Sequence, residues 1–262
     1  MPSTDLQPNP AVERAALAFL TPAAAAKQPS LDFLPGARRR LIDSPAGVLA
    51  AAEWGEGPAV LLLHGWEGKA SDLAAFAPPL LAAGHKVIAI NLPAHGESGG
   101  EFSAIPISAR AIVAAQDALG PLHAVVAHSV GTAVTVEAMG LGLPVGRVAL
   151  ISAPARYAAY VLGFAAQAGL TPEQGEEMLA VLLSKGVDVR SISTPRRARE
   201  LKQPALFIHS ADDRVVAIAD AEASHAAWAG STLLRLEGLG HRRILQAPEV
   251  IRAVTAFVTA RG

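Results

Sequence analysis

The chain has no cysteine among its 262 residues. That excludes disulfides, thiolate nucleophiles and thiolate metal sites together, and it fits a reducing cytoplasm, the expected location. Aromatic residues are scarce (5%) and charged ones few (17%), whereas 51% of residues are hydrophobic, so a large buried core is expected and disorder is not. No basic run is long enough to suggest nucleic acid as a partner. The densest patches, Arg38-Arg39-Arg40 and Arg196-Arg197-Ala198-Arg199, read as solvated faces or helix ends. No uninterrupted apolar run approaches the length of a membrane span. The nearest candidate for a signal segment, residues 15–26, is broken by Pro22 and preceded by Asp5 and Glu13 instead of a basic cluster. Asn9 as an N-cap, Pro10 at the first helical position and Ala11 to Leu20 read instead as a short helix.

What is present is an alternation of strand and helix signals. Residues 38–54 read as two strands around the turn Ser44-Pro45-Ala46-Gly47. The run AVLLLHG at 59–65 suits a strand buried on both faces. Strands are also expected at 86–92, 122–128, 146–152, 204–210 and 231–237. Helices are expected at 71–83, capped near Ser71 or Asp72, and at 107–119, 130–141, 217–229 and 248–260. This order predicts an α/β fold: a mainly parallel sheet covered by helices on both faces, with an antiparallel edge from the first pair.

One interval breaks the rhythm. About fifty residues separate the strands ending near Ser152 and starting near Pro204, longer than a usual crossover. Tyr157, Tyr160, Val161 and Phe164 mark one helix there, and the capping box Thr171-Pro172-Glu173-Gln174 opens a second. The expected organisation is an N-terminal extension at 1–37, a core at 38–153 and 203–262, and a small helical lid at 154–202.

Two stretches compete as the seat of a nucleophile. Gly96-Glu97-Ser98-Gly99-Gly100 is a perfect G-x-S-x-G, whereas AHSVG at 127–131 has Ala127 in the first glycine's place. A serine hydroxyl is a weak nucleophile and needs a base in contact and a fixed, exposed position. A sharp strand-to-helix turn supplies that position, and the helix N-terminus aims amides at developing negative charge. Ser129 has this context, with LHAVVAH before it and a helix directly after. Ser98 does not: Pro93 and loop residues separate it from its strand, and no helix follows Gly99-Gly100. Ser98 is therefore expected to be a loop serine.

The base should be a histidine, whose pKa lies near working pH. His241 follows a strand and is flanked by Gly238 and Gly240. His85, His123 and His225 are expected at the surface, and the His128 side chain is expected to point away from Ser129. The acid should be Asp212 or Asp213, both just past a buried strand where an α/β sheet presents its active residues. Ser129, Asp213, His241 is the order expected of α/β-hydrolases.

On these residues the chain resembles the α/β-hydrolase fold superfamily, in particular its serine esterase and lipase-like members, from about residue 40 onward. LLHGWEG looks like the oxyanion loop, NLPAHGESGG like the D-x-P-G-H-G-x-S loop, AHSVG like the nucleophile elbow, and HSADDRVV and GLGHRRIL like the acid and histidine motifs. The G-x-x-D-x-x-V register places the acid at Asp213, with Ser210 in the glycine's place and Val216 closing the motif. The resemblance implies oxyanion donors in the backbone N–H groups of Trp66 and Val130, and no metal or cofactor. It implies cleavage of a small-molecule carboxylic ester through an acyl-enzyme, with a thioesterase, an acyltransferase or a non-catalytic ligand-binding protein as the alternatives. Ala127, Asn91 and Ala94 depart from the family pattern, and Ala127 is the departure expected to matter. Tyr157, Tyr160 and Phe164 are expected to face the pocket, with lid-to-core packing as the competing account.

Overall fold

A computed structural model describes residues 9–260. Residues 1–8, Asp5 among them, and 261–262 lie outside the described residues, so the predicted extension is followed only from Asn9. Eight strands form one sheet: β1 (Arg38–Ile42), β2 (Leu49–Trp54), β3 (Ala59–Leu63), β4 (Lys86–Ile90), β5 (Leu122–His128), β6 (Val145–Ile151), β7 (Ala205–Ser210) and β8 (Thr232–Leu236). The spatial order is β1-β2-β4-β3-β5-β6-β7-β8. β1 and β2 are antiparallel to their neighbours, and β3 through β8 pair in parallel.

The pleat divides the core in two. In β3, Leu61 and Leu63 enter one hydrophobic cluster and Val60 and Leu62 the other. The first cluster packs under helices Ile105–Ala114 and Val130–Gly140, the second under Ala77–Ala82 and Pro248–Thr259. Helix Val130–Gly140 is buried nearly all round, so its central place depends on the sheet and not on an amphipathic stripe.

The chain leaves β3 towards β4 on one side and leaves β5 towards β6 on the other. β3 and β5 are neighbours, with Leu63 opposite Ala127. Their carboxyl ends form the crevice where α/β sheets bind ligands.

Several element boundaries differ from the expectation. The helix expected over 71–83 is a 3₁₀ segment, Ala70–Phe76, followed by a short α-helix, Ala77–Ala82. Pro78 and Pro79 have no N–H to bond back into the preceding turn, so a continuous α-helix cannot run through them. The Asp72 carboxylate accepts the Lys69 N–H at 3.1 Å, reaching back to the cap instead of standing at it. The helix expected from 107 starts at Ile105, with Pro106 tolerated inside its first turn.

The N-terminal helix Pro10–Leu20 is capped by Asn9 as expected. It does not stand apart from the insertion: Val12, Ala15, Ala16 and Leu20 are buried, and its contacts are with Pro172–Ser184 and Tyr157–Gln167. Phe19 meets Tyr157 at 5.6 Å and Phe164 at 5.3 Å. The insertion itself holds three helices, Tyr157–Gln167, Pro172–Ser184 and Thr194–Ala198, the second with both capping-box bonds formed. The third packs on Val130–Gly140 and Ile218–Ala227. Among the described residues no helix is long and apolar enough to cross a membrane.

Candidate active site

Ser129 sits between the last residue of β5 and the first of helix Val130–Gly140, at φ 51° and ψ −125°. This conformation is costly for a residue with a side chain, of order 1–3 kcal/mol, and persists only where the surroundings enforce it. Here the Ser129 N–H donates to Ile151 O at 2.9 Å, and the Ser129 carbonyl accepts the N–H and hydroxyl of Thr132. The small neighbours are a matter of space. A Cβ on Gly131 would lie 2.4 Å from the His64 carbonyl oxygen, and one on Gly65 would lie 2.9 Å from the Ser129 Cβ. Ala127 lies within β5, fully buried, and its methyl is accommodated.

His241 and Asp213 reach this serine from the ends of β8 and β7. The His241 Nε2 lies 3.1 Å from Ser129 Oγ, and its Nδ1 lies 2.7 Å from Asp213 Oδ2. The other Asp213 oxygen accepts the N–H groups of Val215 and Val216 at 2.8 and 3.0 Å. The carboxylate is wholly enclosed. Burial alone would push its pKa up, but the bonds from His241, Val216 and Val215 outweigh that and bring it down to about 2.

The other candidate, Asp212, does not meet His241. It takes the Ser210 hydroxyl and the Gly240 N–H, while Ser210 Oγ also accepts the Leu239 and Gly240 N–H groups at 3.1 and 3.3 Å. Ser210 and Asp212 together anchor the loop that carries His241. That loop turns through left-handed residues at Gly238 and Gly240, which a β-carbon would strain.

The opposite wall is the loop after β3. Val130 N–H, first in its helix, has no carbonyl four residues back to bond. The Trp66 N–H makes no hydrogen bond among the described residues. Two buried histidines hold this loop. His64 Nε2 accepts the Leu92 N–H at 3.0 Å, so Nδ1 carries the proton and donates to Gly65 O at 2.8 Å. His95 Nε2 accepts the Glu67 N–H at 3.1 Å, so its Nδ1 donates to Pro93 O at 2.9 Å. Burial, with a further push from His95, drives the His64 pKa down to about 3, and burial lowers that of His95. Both rings stay neutral.

Several expectations are overturned. The His128 ring does not turn away from the site: it lies 4.7 Å from the His241 ring, and its Nε2–H donates to His241 O at 2.9 Å. Burial first, then the neighbouring His241, lowers its pKa to about 3. His85 is buried rather than exposed. It stacks 4.9 Å from His123, which bonds Val258 O at 2.7 Å, and His225 bonds the Ser231 hydroxyl. Tyr157 and Phe164 pack on Phe19, and Tyr160 donates to Asp220 at 2.5 Å. None of the three lines the cavity at Ser129. Strand alternation holds only as far as His128, the last residue of β5; the left-handed Ser129 that follows breaks it, so both residues border the same cavity.

Ser98 lies in a different kind of turn. Its hydroxyl donates to Asn91 O at 2.7 Å and accepts the Ala50 N–H at 2.8 Å, with no histidine among its partners. Asn91 accepts the Ala70 N–H and the Ser30 hydroxyl and donates to Glu97. The strained departure from the family pattern is Ala94, fully buried at φ 61°, and not Ala127.

The cavity at Ser129 measures about 110 Å³ and is bounded chiefly by Gly65, Trp66, His128, Ser129, His241 and Arg242. It stands at the crevice between the ends of β3 and β5.

Comparison with known proteins agrees with this architecture. An esterase from Exiguobacterium antarcticum superposes with a TM-score of 0.68 at 18% identity, covering 85% of this chain and 100% of its own. An N-acyl homoserine lactone degrading enzyme, Est816, gives 0.69 at 16% identity, covering 83% of this chain and 100% of its own. The thioesterase domain from the curacin biosynthetic pathway gives 0.63 at 15%, covering 86% and 100%. At such identities the likeness is one of fold. No curated protein matches the sequence. The sequence pattern of the Alpha/beta hydrolase family matches residues 60–254, most of the chain, and the chain belongs to that family.

Proposed function

We propose that the protein is a serine hydrolase that cleaves carboxylic esters through an acyl-enzyme. The observation that carries this reading is the continuous bonded chain from Ser129 Oγ through His241 to the enclosed Asp213. His241 Nε2 takes the hydroxyl proton as Ser129 Oγ attacks the ester carbon, and Asp213 stabilises the imidazolium that forms. The Trp66 and Val130 amides receive the oxyanion, an interaction worth about 2.7–4 kcal/mol per donor in comparable sites. Collapse breaks the bond to the alcohol oxygen, which takes its proton from His241. Water then attacks the acyl-enzyme, gives its proton to His241, and releases the acid as Ser129 Oγ regains a proton.

The cavity of about 110 Å³ is small beside the 300–1,000 Å³ typical of ligand pockets. Short acyl groups suit it. A panel of p-nitrophenyl esters from acetate to octanoate tests both points. Activity should be greatest on the short esters and fall roughly 10⁶-fold in Ser129→Ala, while Ser98→Ala stays within a few-fold of the parent. Equal turnover by the parent and Ser129→Ala would refute the mechanism.

A further inference from the structure

Two arginines follow His241, and they are used differently. Arg243 donates to Gly238 O at 2.8 Å and so helps close the loop that carries the histidine. The Arg242 side chain makes no hydrogen bond and no ion pair among the described residues, its backbone carbonyl taking the Ile244 N–H, yet the residue borders the cavity at Ser129. Its charge is near enough to the buried His128 ring to oppose that ring's protonation. The carboxylate facing the same cavity, Asp72, accepts the Lys69 N–H at 3.1 Å and does not pair with Arg242. An arginine with an unengaged side chain therefore borders the cavity of the reacting serine, whose wall also carries Asp72, His241 and the neutral His128. A guanidinium presents a planar fork of donors that fits a carboxylate.

The side of the substrate it meets follows from the chemistry. The departing oxygen must take its proton from His241, so the alcohol portion of an ester lies on the His241 side of Ser129, and Arg242 follows His241 in the same short helix and lines the same cavity. We infer that Arg242 is a specificity residue that pairs with a carboxylate on the alcohol portion of the ester. This deepens the ester-hydrolase reading and rests on it. The bond is non-covalent and leaves the acyl-transfer steps unchanged.

The test compares 4-carboxyphenyl acetate with 4-carbamoylphenyl acetate, which carries a neutral group of similar shape. The parent should favour the carboxylate in kcat/KM, and that preference should weaken as salt is added. Arg242→Gln should lower the ratio of the two kcat/KM values by about 2- to 5-fold, mainly through KM for the anion, the size expected of an exposed charge pair. Arg242→Lys should retain part of the preference, and Arg243→Gln should keep it. An unchanged ratio in Arg242→Gln would overturn the inference while leaving ester hydrolysis intact. Calorimetric binding of 4-carboxyphenyl acetate to Ser129→Ala, with and without Arg242→Gln, separates the two readings further. Binding that depends on Arg242 in a protein whose parent hydrolyses neither ester would refute the hydrolase, and with it the role of Arg242 in ester specificity, while showing that the arginine holds the carboxylate. Binding that ignores Arg242 would overturn it.

Discussion

The turns at 94–100 and 127–131 each hold a serine in a glycine-rich string and each hold one L-residue at positive φ. In the first turn that residue is Ala94, which offers no chemistry, and the Ser98 hydroxyl is spent on the backbone of Ala50 and Asn91. In the second it is Ser129 itself, and its hydroxyl faces an imidazole. The string of letters is better in the first, the context better in the second. The first turn and its approach also hold the loop after β3: His64 accepts the Leu92 N–H, and His95, inside the first turn, accepts the Glu67 N–H. The turn with the perfect motif thus buttresses the loop that faces Ser129.

Five substitutions sharpen this contrast, the largest effect first. Asp213→Asn should lower kcat roughly 10³- to 10⁴-fold, because an amide in contact with Nδ1 no longer stabilises the imidazolium or fixes its tautomer. Asp212→Asn, which only loosens the loop anchor, should cost less than about tenfold. Steady-state kinetics on a short ester separates the two, and equal losses would break the assignment of roles.

His95→Ala removes the acceptor of the Glu67 N–H, so the adjoining Trp66 amide loses its fixed direction. The expected loss is roughly tenfold in kcat with little change in KM, since an amide aimed at the oxyanion acts in the transition state. A change confined to KM would mean that the turn shapes binding alone.

The buried histidines make a pH prediction. His64 and His128 have folded pKa values of about 3 against 6.5 when unfolded. Below pH 6.5 the unfolded chain takes up protons that the folded chain refuses, so stability declines as pH falls towards 3. The limiting slope is about 1.4 kcal/mol per pH unit for each ring. Urea unfolding between pH 7 and 4 should show this decline, and His128→Gln should reduce the slope by up to one proton. A pH-independent stability would mean that the rings titrate alike in the folded and unfolded chain.

The smallest effect concerns Ala94→Gly. Removing the methyl at φ 61° relieves strain of about 1–2 kcal/mol, partly offset by the greater entropy of the unfolded chain. A net gain of roughly 0.5–1 kcal/mol in unfolding free energy is expected, with activity unchanged. A loss of stability would show that the turn is relaxed as it stands.

Much of this was legible in the residue order. The unbroken apolar run at 59–63 announces a strand covered on both faces, and the capping residues Asn9 and Thr171 mark helix starts that the structure shares. Ser129, Asp213 and His241 were nominated by context, and they are the side chains that meet. What the order could not carry was direction and long-range pairing. Nothing local says that the helix from Pro10 packs on the insertion, that Phe19 covers Tyr157 and Phe164, or that His128 turns onto His241. The tautomers of His64 and His95 are likewise set by backbone groups distant in sequence. The expectation of a pocket-facing lid failed for this reason: helical spacing identifies an apolar face but not the partner that covers it.

The most direct measurement is to label the protein with a fluorophosphonate and map the adduct by peptide mass spectrometry. One adduct on the peptide carrying Ser129, absent from Ser129→Ala and retained in Ser98→Ala, is the result expected here. An adduct on Ser98, or none at all on a protein that hydrolyses esters, would contradict the central claim.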